Sequence, residues 1–506
     1  MHATPEATER FADDADLAEV GYTTLGRTGL RISRLGFGTY RVDDRSEAHK
    51  EALAAALRQG VNLIDTAGNY GDGHAERAVG EVLAKLIGEG AIARDQVVVV
   101  SKLGLVQGSL QRTARELEAE ETPVAGMVHF QDAVWQCIHP DWLEGRLGEA
   151  LERLRLDAID LVLLHNPEVF LADAQAHRKD VPLEKVREQL YGRIERAFEW
   201  LERACDAGRI RWYGVSSNTL ASPVEDPQSV QLGRLIEAAR AAAARVRGDA
   251  DAHRFAAIET PLNLYEHRAA TASLGKEGTL LEQARKAGLA VLTNRPLNAI
   301  LGSNRLLRLA DPPQVEAAPP LDEAAAEVKA IEAVFVQDFA PKINVQGGPP
   351  ATQIFRWGDE LANAPARLTG VEHWMAMQSQ VIAPQIQTVL QQLSRGFRND
   401  PAFNVWAKRY VEAINVLLAS VSAALVEKLR GEAKNLAGRL APHVPASWQG
   451  ASFARQAIGT LLSTEGVTCV LVGMRRTAWV EDALGAVGLE KLPPGSVRKV
   501  YEAFAR

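Results

Sequence analysis

Short apolar runs alternate with longer amphipathic stretches along most of the chain. Eight runs read as strands: Leu35–Thr39, Asn62–Asp65, Val97–Ser101, Ile159–His165, Trp212–Ser216, Ala256–Glu259, Ala290–Thr293 and Cys469–Val472. Between them lie three- and four-residue periodicities that predict helices, among them Ser46–Arg58, Trp142–Arg153, Leu183–Ala207 and Leu280–Ala287. Strands that alternate with helices in this way pair in parallel through crossover helices. Eight such units are the count of a (β/α)8 TIM barrel, an α/β fold. A doubly wound open sheet would need a Gly-x-Gly-x-x-Gly turn after the first strand, and the chain has none there.

The pattern also predicts what is added to the barrel. Tyr22 to Thr39 shows Gly-flanked alternation and reads as a β-hairpin ahead of the first barrel strand. Residues 1–19 are polar and acidic and are expected to form a disordered tail. The barrel is expected over 20–300, to be interrupted by a helical insertion over 301–450, and to be completed by 451–506. Pro/Gly punctuation (Asp311-Pro-Pro, Pro319-Pro, Gly347-Gly-Pro-Pro) separates three helical stretches in the insertion, Leu321–Phe339, Gly370–Ser394 and Pro401–Leu440. In the last, Trp406, Tyr410, Ala413, Leu417, Val421 and Ala424 form one apolar stripe. Such a stripe must bury against something, which leaves a homo-oligomer or a protein partner open as roles for the insertion. Smaller insertions follow Lys102 (105–136) and His165 (169–184). Strand-to-helix loops open on the C-terminal face of a barrel, so all three additions belong to the catalytic side.

Composition narrows the function classes. The chain of 506 residues is 46% hydrophobic and 24% charged, with a net charge of −7 and no long basic run, which argues against nucleic acid as the main partner. Its three cysteines (Cys137, Cys205, Cys469) are far apart and in no metal-ligand spacing, as expected of a reducing, cytoplasmic setting. No apolar signal core opens the chain. The longest nearly uncharged window, Ala413–Val426, falls short of the roughly 18–20 residues that span a bilayer. No zinc-type cluster and no phosphate-binding Gly-x-x-x-x-Gly-Lys-Ser loop occurs, so no metal is expected.

The most specific motif is Asp65-Thr-Ala-Gly-Asn-Tyr70-Gly-Asp-Gly-His-Ala-Glu76-Arg-Ala-Val-Gly80, a strand end followed by a loop and a helix start. Downstream, Val97-Val-Val-Val-Ser-Lys102, Asp160-Leu-Val-Leu-Leu-His165 and Tyr213-Gly-Val-Ser216-Ser217-Asn218 are strands that end in polar residues. Singly, each residue has an ordinary structural use. Jointly, in this order and at strand ends, they resemble the aldo-keto reductase superfamily.

The resemblance implies carbonyl reduction, or its reverse, on aldehydes, ketones or sugar-like alcohols, with Asp65, Tyr70, Lys102 and His165 as the catalytic tetrad. Tyr70 would give the proton, but a phenol near pKa ~10 is a weak acid. A neighbouring Lys102 ammonium is expected to lower that value. Asp65 would hold Lys102 charged, and His165 would orient the carbonyl. Glu76 would position the Tyr-bearing loop.

For the nicotinamide cofactor the resemblance implies contacts from Gly38, Thr39, Tyr40 and Asp65, and from a pair after the fifth strand that aligns either with Ser216 and Ser217 or with Ser217 and Asn218. The family's glutamine on the sixth strand is here Glu259, which can accept from a carboxamide NH2 but cannot donate to its carbonyl. After the seventh strand Arg295, Pro296 and Leu297 fall beside the pyrophosphate, and Asn294 stands where the family stacks an aromatic. Gly473, Met474, Arg475, Arg476, Trp479 and Asp482 correspond to the adenosine-phosphate site at a helix start. Two guanidinium groups there suit a 2′-phosphate, so NADP(H) is expected over NAD(H). The alternative to an enzyme is a low-turnover nicotinamide-binding scaffold whose insertion binds a partner protein.

Overall fold

The computed structural model describes residues 1–15, 17–302, 305–343, 350–368 and 370–505. All eight expected strands form: β1 Leu35–Gly38, β2 Leu63–Asp65, β3 Val98–Leu103, β4 Ile159–His165, β5 Ile210–Ser216, β6 Phe255–Pro261, β7 Ala290–Asn294 and β8 Cys469–Val472. They pair in parallel, each with its neighbours in chain order, and β8 closes on β1. The chain is therefore a (β/α)8 barrel. The register aligns strand ends at one mouth: Gly38 faces Asp65, Ser216 faces His165, and Ser216 also faces Glu259.

The opposite end is plugged by the predicted hairpin, Tyr22–Thr24 paired antiparallel with Arg31–Ser33. Leu25, Leu30 and Ile32 of the hairpin pack into the barrel core with Leu63, Val98 and Leu292. Each such buried aliphatic side chain contributes roughly 1.5–3 kcal/mol. The tail expected to be disordered does not behave so. Pro5–Asp14 is a helix capped by Thr4, with Ala7 and Phe11 buried. Charge and polarity hid its use: Ala3 N donates to the buried Asp160 at 2.6 Å, and Thr8 Oγ1 accepts from Arg31 N.

The loops after β3 and β4 carry structure of their own. The first holds a three-stranded antiparallel sheet (Leu105–Val106, Val128–Gln131, Val134–Gln136) and helix Gly108–Ala119. The second holds helix Val169–His177.

Residues Ile300–Ala441 form a second compact unit, while Pro442–Arg506 belong with the barrel. The later end expected at Gly450 included a turn whose Trp448 is buried and donates to Glu490 O, anchoring it to the barrel's own C-terminal segment. Within the second unit, Leu321–Asp338 and Pro401–Leu440 are helices as expected, the latter capped by Asp400 with Pro401 at its first position. The stretch expected as one helix over Gly370–Ser394 is instead Val371–Met377, a π-helical turn Gln378–Ile382 and Ala383–Gly396. The Gly347–Pro349 part of the punctuation lies outside the described residues.

The predicted stripe is buried through Trp406, Tyr410, Leu417 and Val421, joined by Phe335, Phe339 and Phe403 in one aromatic-rich core. Trp406 stacks on Tyr410 at 5.1 Å, and Tyr410 Oη donates to the buried Glu332. The helix that carries this stripe, Pro401–His443, is long and apolar enough to cross a membrane by length and composition alone. Its residues Phe403, Trp406, Tyr410, Leu417 and Val421 pack in the core of this unit, while Val405, Val411 and Val416 are exposed.

Candidate active site

Four residues from three strand ends and one loop converge at the barrel mouth. Lys102 Nζ donates to Asp65 Oδ1 at 2.5 Å and to Tyr70 Oη at 3.1 Å. All three side chains are buried. The Tyr70 oxygen thus accepts from an ammonium, which leaves its own O–H directed elsewhere, toward any carbonyl at the mouth. The His165 ring lies edge-on to Tyr70 with centroids 6.1 Å apart. These are the four tetrad residues that the sequence predicts, brought together.

The loop that presents Tyr70 is built by the rest of the motif. Gly71, Asp72 and Gly73 all have positive φ (56°, 56° and 81°), so the chain turns sharply before helix His74–Gly88. At Gly80 a Cβ would sit 2.6 Å from Arg153 O, so glycine lets this helix lie close against helix Pro140–Leu154. Glu76 is fully buried, accepting from Ser101 Oγ and Arg153 Nε at 2.7 Å each. It ties the Tyr70 loop to β3 and to the helix before β4, which is the positioning role expected of it.

The electrostatics depart from expectation in one respect. Burial pushes the Tyr70 hydroxyl well above the ordinary phenol range; Lys102 pulls the other way, and the carboxylates of Asp65 and Glu259 push up again. Lys102 therefore does not lower Tyr70 on balance. The main reason is burial, to which Asp65 and then Glu259, whose Oε2 lies 3.3 Å from Lys102 Nζ, add. Desolvation would strip Lys102 of its proton, but Asp65 and Glu259 outweigh it and hold the ammonium. Burial lifts Asp65 to about 7, opposed by Lys102 and aided by Glu259. His165 is lowered to about 3 by burial and then by Lys102, so its ring is neutral and can offer a single N–H.

The cofactor-side residues fall into three groups. Gly38, Thr39 and Tyr40 follow β1; Thr39 Oγ1 donates to Asp65 O at 2.8 Å, and the exposed Tyr40 ring packs edge-on against Tyr70 at 5.1 Å. A cleft of about 330 Å³ opens beside them, lined by Tyr40, Arg41, Val42, Asp43, Asn69, Gly71 and Gln107.

The second group surrounds the ends of β5 to β7. Ser216 and Ser217 are buried. Asn218 donates through N and Nδ2 to Glu168 Oε1 and accepts from Arg295 Nη1, while Arg295 Nη2 donates to Glu266. Glu259 does not point to a free carboxamide site, since Oε1 accepts from Asn294 Nδ2 at 2.7 Å and Oε2 serves Lys102. Pro296 is buried and Leu297 is half-buried. Glu168 is a residue that sequence reasoning missed. Its signal was present, an acid three residues beyond His165 at a strand end.

The third group follows β8. Met474 is buried and Gly473 is exposed. Arg475 and Arg476 lie 5.6 and 5.3 Å from the Trp479 ring. Trp479 thus holds two cations on its ring. Asp482 accepts from Ser452 and pairs with Arg455.

Three observations bear on a nicotinamide dinucleotide. Burial first, and then Arg475 and Arg476 against Asp43, lower His49, which marks a positive field where a phosphate is expected. The helix after β8, Thr477–Leu484, has no side-chain cap, so its first N–H groups are open to an anion. Arg295 Nε, Asn294 Oδ1 and Glu168 Oε2 are buried polar atoms without partners around the ends of β4 to β7. The residues fit such a group at its phosphates; at the ring end they fit with a changed set of contacts.

Residues 34–245 match the Aldo/keto reductase family. That stretch carries β1 to β5 and is similar to an aldo/keto reductase domain. Among curated relatives, the chain is 30% identical over 206 residues to Aldo-keto reductase YhdN of Bacillus subtilis, covering 39% of this chain and 46% of that one. It is 30% identical to the NADH-specific methylglyoxal reductase of Escherichia coli (28% and 40% covered) and 27% identical to the NADPH-dependent D-xylose reductase of Meyerozyma guilliermondii (38% and 50%). The chain spans about half the length of the curated relatives it matches. The family match takes in Asp65, Tyr70, Lys102 and His165, and ends before Glu259, Asn294 and the second unit.

Proposed function

We propose that this protein is an NADP(H)-dependent oxidoreductase that interconverts a carbonyl and an alcohol. One observation carries the reading: Tyr70 Oη accepts from a buried ammonium that Asp65 holds, beside a neutral His165. That arrangement can hand a proton to a carbonyl oxygen as charge develops, while His165 fixes the oxygen's direction. A bound nicotinamide would supply or take up the hydride at the adjoining carbon. Arg475 and Arg476 support the choice of the 2′-phosphorylated nucleotide, and relatives of both nucleotide preferences exist. The substrates named for the relatives, methylglyoxal and D-xylose, give the first panel to try. The test is titration of the full chain with NADPH and NADH by tryptophan fluorescence, then turnover on aldehydes, ketones and sugars. A chain that bound neither nucleotide would refute the reading.

A second reading, a nicotinamide-binding scaffold with a partner, draws on the second unit. That unit exposes Val334, Val336, Met375, Val405 and Val416, and has an apolar groove of about 570 Å³ between Phe355, Trp357, Val381 and Val389. Nucleotide binding without turnover on any carbonyl, together with capture of a second chain by residues 300–441, would favour it.

A further inference from the structure

Glu259 stands at the strand position where the resemblance implies a neutral glutamine, and its carboxylate is hydrogen-bonded through one oxygen and only ion-paired through the other. Oε2 lies 3.3 Å from Lys102 Nζ, Oε1 accepts from Asn294 Nδ2 at 2.7 Å, and the residue is 1% exposed. Lys102 is therefore gripped from two sides, by Asp65 from β2 and by Glu259 from β6. Two carboxylates against one ammonium leave the buried cluster with one negative charge in surplus.

We propose that Glu259 is a positioning residue for Lys102 whose surplus negative charge makes this barrel mouth bind the oxidised, cationic nicotinamide in preference to the reduced, neutral one. The inference rests on the nicotinamide reading above. The carbon that exchanges hydride and the oxygen that exchanges the Tyr70 proton are bonded to each other. The ring must accordingly lie beside the Tyr70–Lys102–Glu259 cluster. The two forms of the dinucleotide differ in charge only at that ring, so a fixed local charge acts on their ratio and cancels elsewhere. In a buried site with few screening ions, one unit charge at neighbouring-group range changes such a ratio by on the order of tenfold.

The surrounding groups keep the effect specific to the carboxylate pair. Tyr70, Lys102 and, from β8, Cys469 are all held protonated, and His165 from β4 is held neutral. Among the described residues facing the cluster, Asp65, lifted to about 7 by burial, is the group that changes its charge between pH 6 and 8.5. The preference should thus weaken as pH falls and the pair takes up a proton.

The experiment is fluorescence titration of the full chain with NADP+ and NADPH, for the wild type, Glu259→Gln and Glu259→Asp, at pH 8.5 and pH 6. The quantity read is the ratio of the two dissociation constants, in which the shared 2′-phosphate cancels. At pH 8.5 the wild type should favour NADP+ by ~tenfold more than Glu259→Gln does, with Glu259→Asp near the wild type. At pH 6 the wild-type ratio should move toward that of Glu259→Gln. An unchanged ratio in Glu259→Gln at pH 8.5 overturns the proposal. If that variant does not fold, a wild-type ratio that is flat from pH 6 to 8.5 overturns it equally. A wild type that binds neither nucleotide removes the functional reading itself, an outcome distinct from an altered ratio.

Discussion

Replacing Lys102 by Met tests the site without needing its substrate. The lysine is 2% exposed and is the ion-pair partner of two carboxylates that are 4% and 1% exposed. Methionine has similar length and can fill the space, so packing loss is small. What remains is two buried carboxylates with no counter-charge. Removing one member of a buried ion pair typically costs about 3–5 kcal/mol, because the partner stays buried and uncompensated. Here both Asp65 and Glu259 lose their cation, so the upper end is expected at pH 8. The sign of the pH dependence follows from linkage. In the variant Asp65, already lifted by burial, loses the opposing pull of Lys102, so its ionisation penalises the folded state at high pH. That penalty fades as the pH falls and Asp65 binds a proton. Urea unfolding followed by circular dichroism should therefore show the largest deficit at pH 8 and a smaller one at pH 5.5. A triple variant, Lys102→Met with Asp65→Asn and Glu259→Gln, should recover most of the loss, since whole ion clusters can be neutralised at little cost. A Lys102→Met protein within about 1 kcal/mol of the wild type at pH 8, with no pH trend, would show that the buried cluster is wrongly described.

Three further outcomes are expected. Tyr70→Phe should retain nucleotide binding and lose ~10²–10⁴-fold in turnover on any carbonyl substrate found, and near-normal turnover would remove Tyr70 from the acid's role. Replacing Arg475 and Arg476 by Ala should weaken NADPH by about 1.5–3 kcal/mol more than NADH, because only NADPH carries the additional phosphate; equal weakening in titrations would place these arginines on something shared. His165, held at about 3 in the fold against an ordinary 6.5, gives its full stability above pH 6.5 and loses it as pH falls toward 3. His165→Gln should accordingly remove about 2–3 kcal/mol of the stability lost between pH 6.5 and 4.5, and parallel urea-midpoint profiles for the two proteins would contradict the neutral, buried ring.

What was legible in the sequence, and what was not, divides along a physical line. Strand spacing is a local property, and β4 and β8 fall at the predicted residues, with the other six within a few. The tetrad was legible because Asp65, Lys102 and His165 lie at strand ends, which parallel register carries to one mouth, and Tyr70 follows Asp65 by five residues in a Gly-rich loop. Helix Pro401–Leu440 was legible from its cap, its proline and its stripe. The misses are tertiary. The segment leading into the N-terminal helix is held at Ala3 by Asp160, 157 positions away, and no local pattern announces that partner. The π-helical turn at Gln378–Ile382 lies in a stretch that reads as continuous helix until Pro384 is weighed, since its ring cannot accept a regular turn before it.

Glu259 is the most instructive case. Its position on β6 was identified correctly, but its identity was judged only by what a carboxylate could do for a carboxamide. Burial decides otherwise. A carboxylate with 1% exposure must find a cation or pay a desolvation cost of several kcal/mol. Among the described residues, the cation within reach is Lys102, which already serves Asp65 and Tyr70. A substitution that reads as a weakened cofactor contact is thereby a change in the charge of the catalytic cluster itself. It raises rather than lowers the Tyr70 pKa, and Asn294, the other departure, is the residue that holds Glu259 in place. The two departures from the family pattern are one coupled change, since Asn294 Nδ2 donates to the same carboxylate that pairs with Lys102.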